Sequence, residues 1–149
     1  MDREPATSGS VELTRRVYAS LNRRDFAAVA AMFAPLAVWD ISRWGLGAHG
    51  GRKAISRFLE DWFGSLEAYE VQIEEMHDLG GGVVYAVVLQ IGRRPGSRGH
   101  IRVRSAPVYE WEHELIGKLT IYPDIEEGRA AAAEAAAGAR ARERRSVKA

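Results

Sequence analysis

The sequence predicts an α+β fold in which three N-terminal helices cover one face of an antiparallel sheet. Three observations predict it. Apolar residues recur at helical spacing through the first part of the chain and switch to strand spacing after Leu66. Four strand-like runs then follow one another across short turns, and short turns impose antiparallel pairing. The 149 residues are 46% hydrophobic and 28% charged, a chain that builds one domain around one core and is not disordered.

The elements follow in order. Residues 1–10 are polar, with Pro, Gly and Ser, and read as a disordered N-terminus. Val11, Thr14, Val17, Tyr18 and Leu21 mark the inner face of a first helix that ends at Asn22-Arg23-Arg24. Asp25 caps a second helix with Phe26, Val29, Ala30 and Phe33 inward, stopped by Pro35. Ala37 to Ile41 reads as a short strand and Arg43 to Gly51 as a glycine-rich loop. Ile55, Phe58, Leu59, Trp62, Phe63 and Leu66 form one continuous apolar stripe, the clearest helix in the chain.

The strands begin where the period becomes two. Tyr69, Val71 and Ile73 alternate with Glu70, Gln72 and Glu74. Val83 to Ile91, His100 to Glu112 and Leu115 to Tyr122 follow, separated by Gly80-Gly81-Gly82, by the loop Arg93 to Gly99 and by a hairpin at His113-Glu114. From Arg129 on, an alanine-rich stretch ends in arginines. It carries no large apolar stripe, so a helix or tail over 129–149 is expected to fray.

Composition excludes several classes. There is no cysteine, hence no disulfide framework, thiolate metal site or thiol nucleophile. Met1 to Ser20 lacks an apolar run, so no signal peptide is read, and no span approaches the ~20 apolar residues of a membrane helix. The expected location is cytoplasmic. The net charge of +1 conceals six basic residues against two acidic ones from Arg129 onward. The body is therefore negative, a poor electrostatic match for nucleic acid. The arginine tail is either solvated or in contact with RNA or an acidic surface.

Leu21-Asn22-Arg23-Arg24-Asp25, Met32-Phe33-Ala34-Pro35 before Val38-Trp39, Gly51-Arg52-Lys53-Ala54-Ile55 and Tyr122-Pro123-Asp124 occur in the order and spacing of a known family. In these segments the chain resembles the SnoaL-like family of the nuclear-transport-factor-2-like superfamily, over about Val11 to Arg129. The domain division is then 1–10, 11–128 and 129–149. The resemblance implies a cone-shaped roll, a strongly bent sheet and three helices enclosing one apolar pocket. It implies cofactor-free acid–base chemistry on a hydrophobic carbonyl compound, by an isomerase, cyclase or hydratase/dehydratase, with no metal. The same fold also hosts non-catalytic binding modules and scaffolds, which is the alternative reading.

The ketosteroid isomerases of that superfamily place a base on the first strand, a tyrosine on the first helix and an aspartate on the long strand. The resemblance puts Ile41, Val17 and Pro107 at those positions, so the isomerase machinery does not carry over. Asp40 and Tyr18 each lie one residue away. Asp40 is the candidate proton acceptor, against a capping aspartate as the alternative. Tyr18 or Tyr109 is the candidate donor to a developing enolate, against core packing with a satisfied hydroxyl.

Strand alternation puts Ile101, Val103, Ser105, Pro107, Tyr109 and Trp111 on the pocket face and His100, Arg102, Arg104, Ala106, Val108 and Glu110 outside. Trp39, Ile41, Trp44, Phe58 and Trp62 complete the expected lining for a small hydrophobic ligand. His49 is either a lid base or part of a flexible loop. His77, His100 and His113 are not spaced for a metal. Ser105 has no histidine partner for nucleophilic catalysis. Val84, Ala86, Val88, Ala106 and Val108, read as an uncovered outer face, predict a homodimer through the sheet.

Overall fold

A computed structural model describes residues 9–148. Of the N-terminal stretch expected to be disordered, residues 1–8 lie outside the described residues, and Gly9 already begins helix α1 (Gly9–Asn22). Val11, Thr14, Val17, Tyr18 and Leu21 are buried along it, as their spacing requires. Asp25 caps α2 (Phe26–Ala31) by accepting from the Ala28 N–H at 3.2 Å.

That helix ends earlier than Pro35. Phe33–Asp40 is strand β1, four residues longer at its start than the expected Ala37–Ile41. Pro35 is accommodated because the strand pairing shifts register between Phe33 and Val38. The Phe33 carbonyl, freed there from the ladder, accepts from Arg52 Nε and an Arg52 terminal nitrogen at 3.0 and 2.6 Å. Within the expected glycine-rich loop, Ala48–Gly50 forms strand β2, antiparallel to β1.

The clearest sequence helix is divided. Helix α3 (Arg52–Phe58) gives way to a π-turn over Leu59–Phe63, with the Gly64 N–H donating to the Leu59 carbonyl at 3.1 Å. The extra residue per turn keeps Leu59 and Phe63 buried while Trp62 stays half-exposed. Arg24, which joins α1 to α2 at a positive φ of 61°, holds the end of this turn by donating to the carbonyls of Phe63 and Leu66.

The remaining strands are β3 (Ala68–Gly80), β4 (Val83–Arg93), β5 (Ile101–Glu112) and β6 (Leu115–Tyr122). They pair antiparallel in sequence order, as expected. The sheet as a whole is mixed, because β1 adds to β6 in parallel; the strand order is β2-β1-β6-β5-β4-β3. Register shifts in β3 and between Glu110 and Trp111 of β5 bend the strands. Gly82, with φ at +83°, closes the β3–β4 turn, where a Cβ would lie 2.5 Å from the Trp111 carbonyl oxygen.

The two faces of the sheet carry two cores. Helices α1–α3 cover one face, over Val84, Ala86, Val88, Tyr109 and Trp111. Helix α4 (Ile125–Lys148) lies on the other, and its Ala132 and Ala136 are buried against Val83, Tyr85, Val87, Ala106 and Val108. Two expectations change here. The alanine-rich segment is a packed helix, because small side chains let it approach the sheet closely. The outer face of β4 is Val83, Tyr85 and Val87, whereas Val84, Ala86 and Val88 point inward. The apolar surface that suggested a second copy is covered by the chain itself. Among the described residues no helix is long and apolar enough to cross a membrane.

Candidate functional site

Between the helices and the inner face of the sheet lies a cavity of about 160 Å³, partly open to solvent. That volume is on the order of one that holds a small aromatic molecule, and its open side lets a larger ligand project. Its wall is built from the alternation of each strand. Residues 101, 103, 107 and 109 of β5 contribute Ile101, Val103, Pro107 and Tyr109, and β6 adds Leu119 and Ile121. Strand β4 contributes Gln90 and Gly92, the even-numbered continuation of its inward Val84, Ala86 and Val88, and Arg94 follows directly after its end. Helix α1 supplies Val17, Tyr18 and Leu21, and the π-turn supplies Trp62 and Phe63. Trp39, Ile41, Trp44, Leu46, Leu66 and Tyr69 close the remaining side.

Three hydroxyls sit in this wall. The Tyr18 and Tyr109 rings meet edge-on, which brings their hydroxyls into mutual contact. Burial raises the pKa of Tyr18 well above the ordinary phenol value, with Tyr109 adding to the effect through its charge and the shared hydrogen bond. Burial also raises Tyr109, opposed by the contact with the Tyr18 hydroxyl, and raises Tyr69, with Tyr18 adding to it. All three are neutral donors at physiological pH.

The indole nitrogens of Trp39 and Trp44 are buried and have no hydrogen-bond partner. Such groups are uncommon, and each costs about 1–3 kcal/mol while it stays unpaired. Gln90 Nε2 donates to Ser105 Oγ at 3.1 Å, which leaves the Gln90 carbonyl oxygen as the amide's acceptor. Arg94 is the cation of the lining, and it is exposed at the mouth.

The sequence-derived residues fall on both sides of the wall. Tyr18, Trp39, Ile41, Trp44, Trp62, Val103, Pro107 and Tyr109 line the cavity. Phe58 stands behind it, edge-on to Trp39 at 5.4 Å and stacked on His49 at 4.2 Å. Ser105 is buried behind Gln90 and does not reach the cavity. His49 lies in strand β2 opposite Trp39, not in a flexible loop, and its Nε2 is hydrogen-bonded to the Leu46 carbonyl oxygen at 2.9 Å.

Asp40 does not line the cavity. It lies between Trp39 and Ile41, and adjacent strand residues face opposite ways. Its carboxylate accepts from the Ser42 N–H at 3.0 Å and the Ser42 hydroxyl at 2.6 Å, a local turn that leads into the 3-10 turn Ser42–Trp44. Those two bonds hold its pKa below the ordinary carboxylate range, with Arg43 and Lys118 contributing. No carboxylate and no imidazole is among the described residues of the lining.

Tyr69, Gln90 and Arg94 are the polar lining residues that the sequence reading did not select. Tyr69 was readable from the alternation of β3. Gln90 and Arg94 were readable only by extending the inward phase of β4 beyond its apolar run.

Comparison with known proteins follows this geometry. A family model described as a SnoaL-like domain matches residues 14–120. No curated protein matches the chain. Three similar solved structures illustrate the fold. An NTF2-like protein of unknown function from Burkholderia pseudomallei K96243 is 19% identical, with 81% of this chain and 95% of that one covered and a TM-score of 0.69. TerC co-crystallized with polyporic acid is 16% identical, with 78% and 92% covered and a TM-score of 0.69. A putative SnoaL-like polyketide cyclase from Shewanella putrefaciens CN-32 is 14% identical, with 78% and 90% covered and a TM-score of 0.67. At these identities the likeness shows the fold, an NTF2-like α+β domain.

Proposed function

The chain belongs to the SnoaL-like domain family, and from that premise we propose that it is a ligand-binding module for a small, largely apolar molecule bearing hydrogen-bond acceptors. One observation carries the reading: the cavity offers donors and lacks a base. Tyr69, Tyr109 and Arg94 supply O–H and N–H groups to the wall. Proton abstraction beside a carbonyl needs a group that takes the proton within hydrogen-bond reach. Asp40, the carboxylate expected for that task, is engaged with Ser42 outside the lining. The remaining inventory solvates an acceptor oxygen and encloses an aromatic or aliphatic body.

The test is a thermal-shift screen against steroids, terpenoids, aromatic polyketides and small hydrophobic acids. A ligand at about a hundred times its Kd adds roughly 2.7 kcal/mol and raises the melting point by several degrees. Each compound that binds is then incubated in D2O and followed by NMR. Binding without deuterium uptake or turnover is the expected result. Deuterium incorporation next to a carbonyl, abolished by a cavity-lining substitution, overturns the binding-module reading in favour of an isomerase, cyclase or hydratase.

Gly92→Ile serves as the blocking variant. Gly92 lines the cavity within β4, and a Cβ there meets Ala68, Leu66 and Tyr69 atoms at ordinary distances of 3.7–3.8 Å. A branched side chain at that position occupies the ligand's space while suiting a strand. Loss of the thermal shift with the melting point of the free protein retained locates the binding in this cavity.

A further inference from the structure

Resting on the reading of the cavity as a ligand site, the geometry points to an organic carboxylate as its ligand, with an aromatic body inside the cavity and the carboxylate held at the mouth by Arg94. The hairpin from β4 to β5, residues 93–102, contains Arg93, Arg94, Arg98 and Arg102 and no acidic residue. Only the first is neutralised: Arg93 pairs with Glu67 across the β3–β4 edge. Arg94, Arg98 and Arg102 are exposed and have no ion-pair partner among the described residues.

Arg94 belongs to the lining by the same alternation that turns Gln90 and Gly92 inward, so its stem starts in the cavity wall and its guanidinium reaches solvent. Ile101, half-exposed and also in the lining, provides an apolar step beside it. A concave low-dielectric wall flanked by unpaired cations focuses positive potential at its opening. Among the described residues no carboxylate lines the cavity to offset it. A planar guanidinium matches a carboxylate through two parallel N–H donors, whereas a neutral acceptor engages only one. A ligand carrying a cation at the mouth meets repulsion and no partner.

The experiment is a matched titration with 2-naphthoate and with its neutral counterpart 2-naphthamide, read by quenching of the indoles in the wall, Trp39, Trp44 and Trp62. The expected result is about fivefold tighter binding of the naphthoate at low salt, the range of one partly exposed ion pair. That preference disappears in Arg94→Gln, is partly kept in Arg94→Lys, and fades at 1 M salt, where the Debye length is about 3 Å. Circular dichroism of each variant confirms that the fold is retained.

Equal affinities for the two probes, or a preference that survives Arg94→Gln, overturn the carboxylate assignment and leave the cavity reading standing. A naphthoate preference that persists in Gly92→Ile also overturns it, since the anion is then bound on the hairpin surface. If neither probe binds while a neutral compound of the thermal-shift screen does, the carboxylate assignment falls and the cavity reading stands; if nothing in the screen binds either, both fail.

Discussion

Tyr18 on helix α1 and Tyr109 on strand β5 meet with ring centroids 6.1 Å apart and planes at 88°. The pair is the second of two rungs. One helical turn earlier, Thr14 Oγ1 accepts from the Trp111 indole N–H at 2.9 Å, and two strand residues later Trp111 stacks on Tyr109 at 6.0 Å. Residues i and i+4 of a helix share a face, as do i and i+2 of a strand. The four side chains therefore join the helix layer to the sheet along one edge of the cavity. The polar groups that face a ligand also hold the wall in place.

Removing one side of either rung leaves a polar partner without its contact, and that sets the expected cost. Thr14→Val strands the buried Trp111 N–H, and Tyr109→Phe removes the hydroxyl that Tyr18 meets. Each variant is expected to lose about 1–3 kcal/mol. Denaturant unfolding with an unchanged m-value measures it. Tyr18→Phe combined with Tyr109→Phe removes donor and acceptor together and is expected to cost less than the sum of the two single variants. Strict additivity shows that the hydroxyls do not interact.

The cavity tyrosines also set an alkaline limit. Burial raises Tyr18, Tyr69 and Tyr109 on folding. A group whose folded pKa lies above its unfolded value stabilises the protein below that unfolded value, about 10 for tyrosine. The contribution is lost as pH rises through the folded value. Stability is thus expected to fall above about pH 10, with these three phenols ionising only together with loss of the fold. Tyrosinate absorbance and circular dichroism followed in one titration test it. Reversible titration of all five tyrosines in the folded protein refutes the burial.

Asp40 predicts the opposite limb. Its bonds from Ser42 depress its pKa, so its contribution is present above the unfolded value of about 4 and is lost as pH falls through the lower folded one. Asp40→Asn is expected to flatten the acid side of the stability profile and to leave naphthoate affinity unchanged, because Asp40 is outside the lining. Loss of ligand binding in this variant places the carboxylate in the site after all.

The layer order, the helical faces and the two faces of β5 were legible because each has contrast. Helix α1 alternates apolar and charged surfaces, and β5 sets Val103, Pro107 and Tyr109 against Arg102, Arg104 and Glu110. Strand β4 has no such contrast. Val83 through Leu89 are buried on both sides, so alternation could not say which set faced the helices. The π-turn was hidden for a related reason: Leu59, Trp62 and Phe63 fit an unbroken helical stripe, and only the backbone shows the inserted residue. Of the candidate site, the aromatic wall was readable and the acid was not. Asp40 beside Trp39 fixes its neighbourhood in sequence, but side-chain phase and its hydrogen bonds from Ser42 turn it away.

Helix α4 was misread because its buried face is alanine, which a hydrophobic-stripe argument discounts. Two of its glycines separate a packed helix from a frayed one. In a frayed helix, Gly→Ala is favourable at both by up to about 1 kcal/mol of helix propensity. In the packed one, a Cβ on Gly128 would lie 2.6 Å from the Ala106 Cβ and 3.3 Å from the Ala106 carbonyl oxygen, both fixed in the middle of β5. Overpacking of that kind costs about 1–3 kcal/mol and exceeds the propensity gain. A Cβ on Gly138 meets only the far end of Arg142, at 3.5 Å. Gly138→Ala is therefore expected to raise the melting temperature and Gly128→Ala to lower it. Stabilisation by both substitutions means that the outer sheet face is uncovered in solution and that a second copy is again its natural occupant.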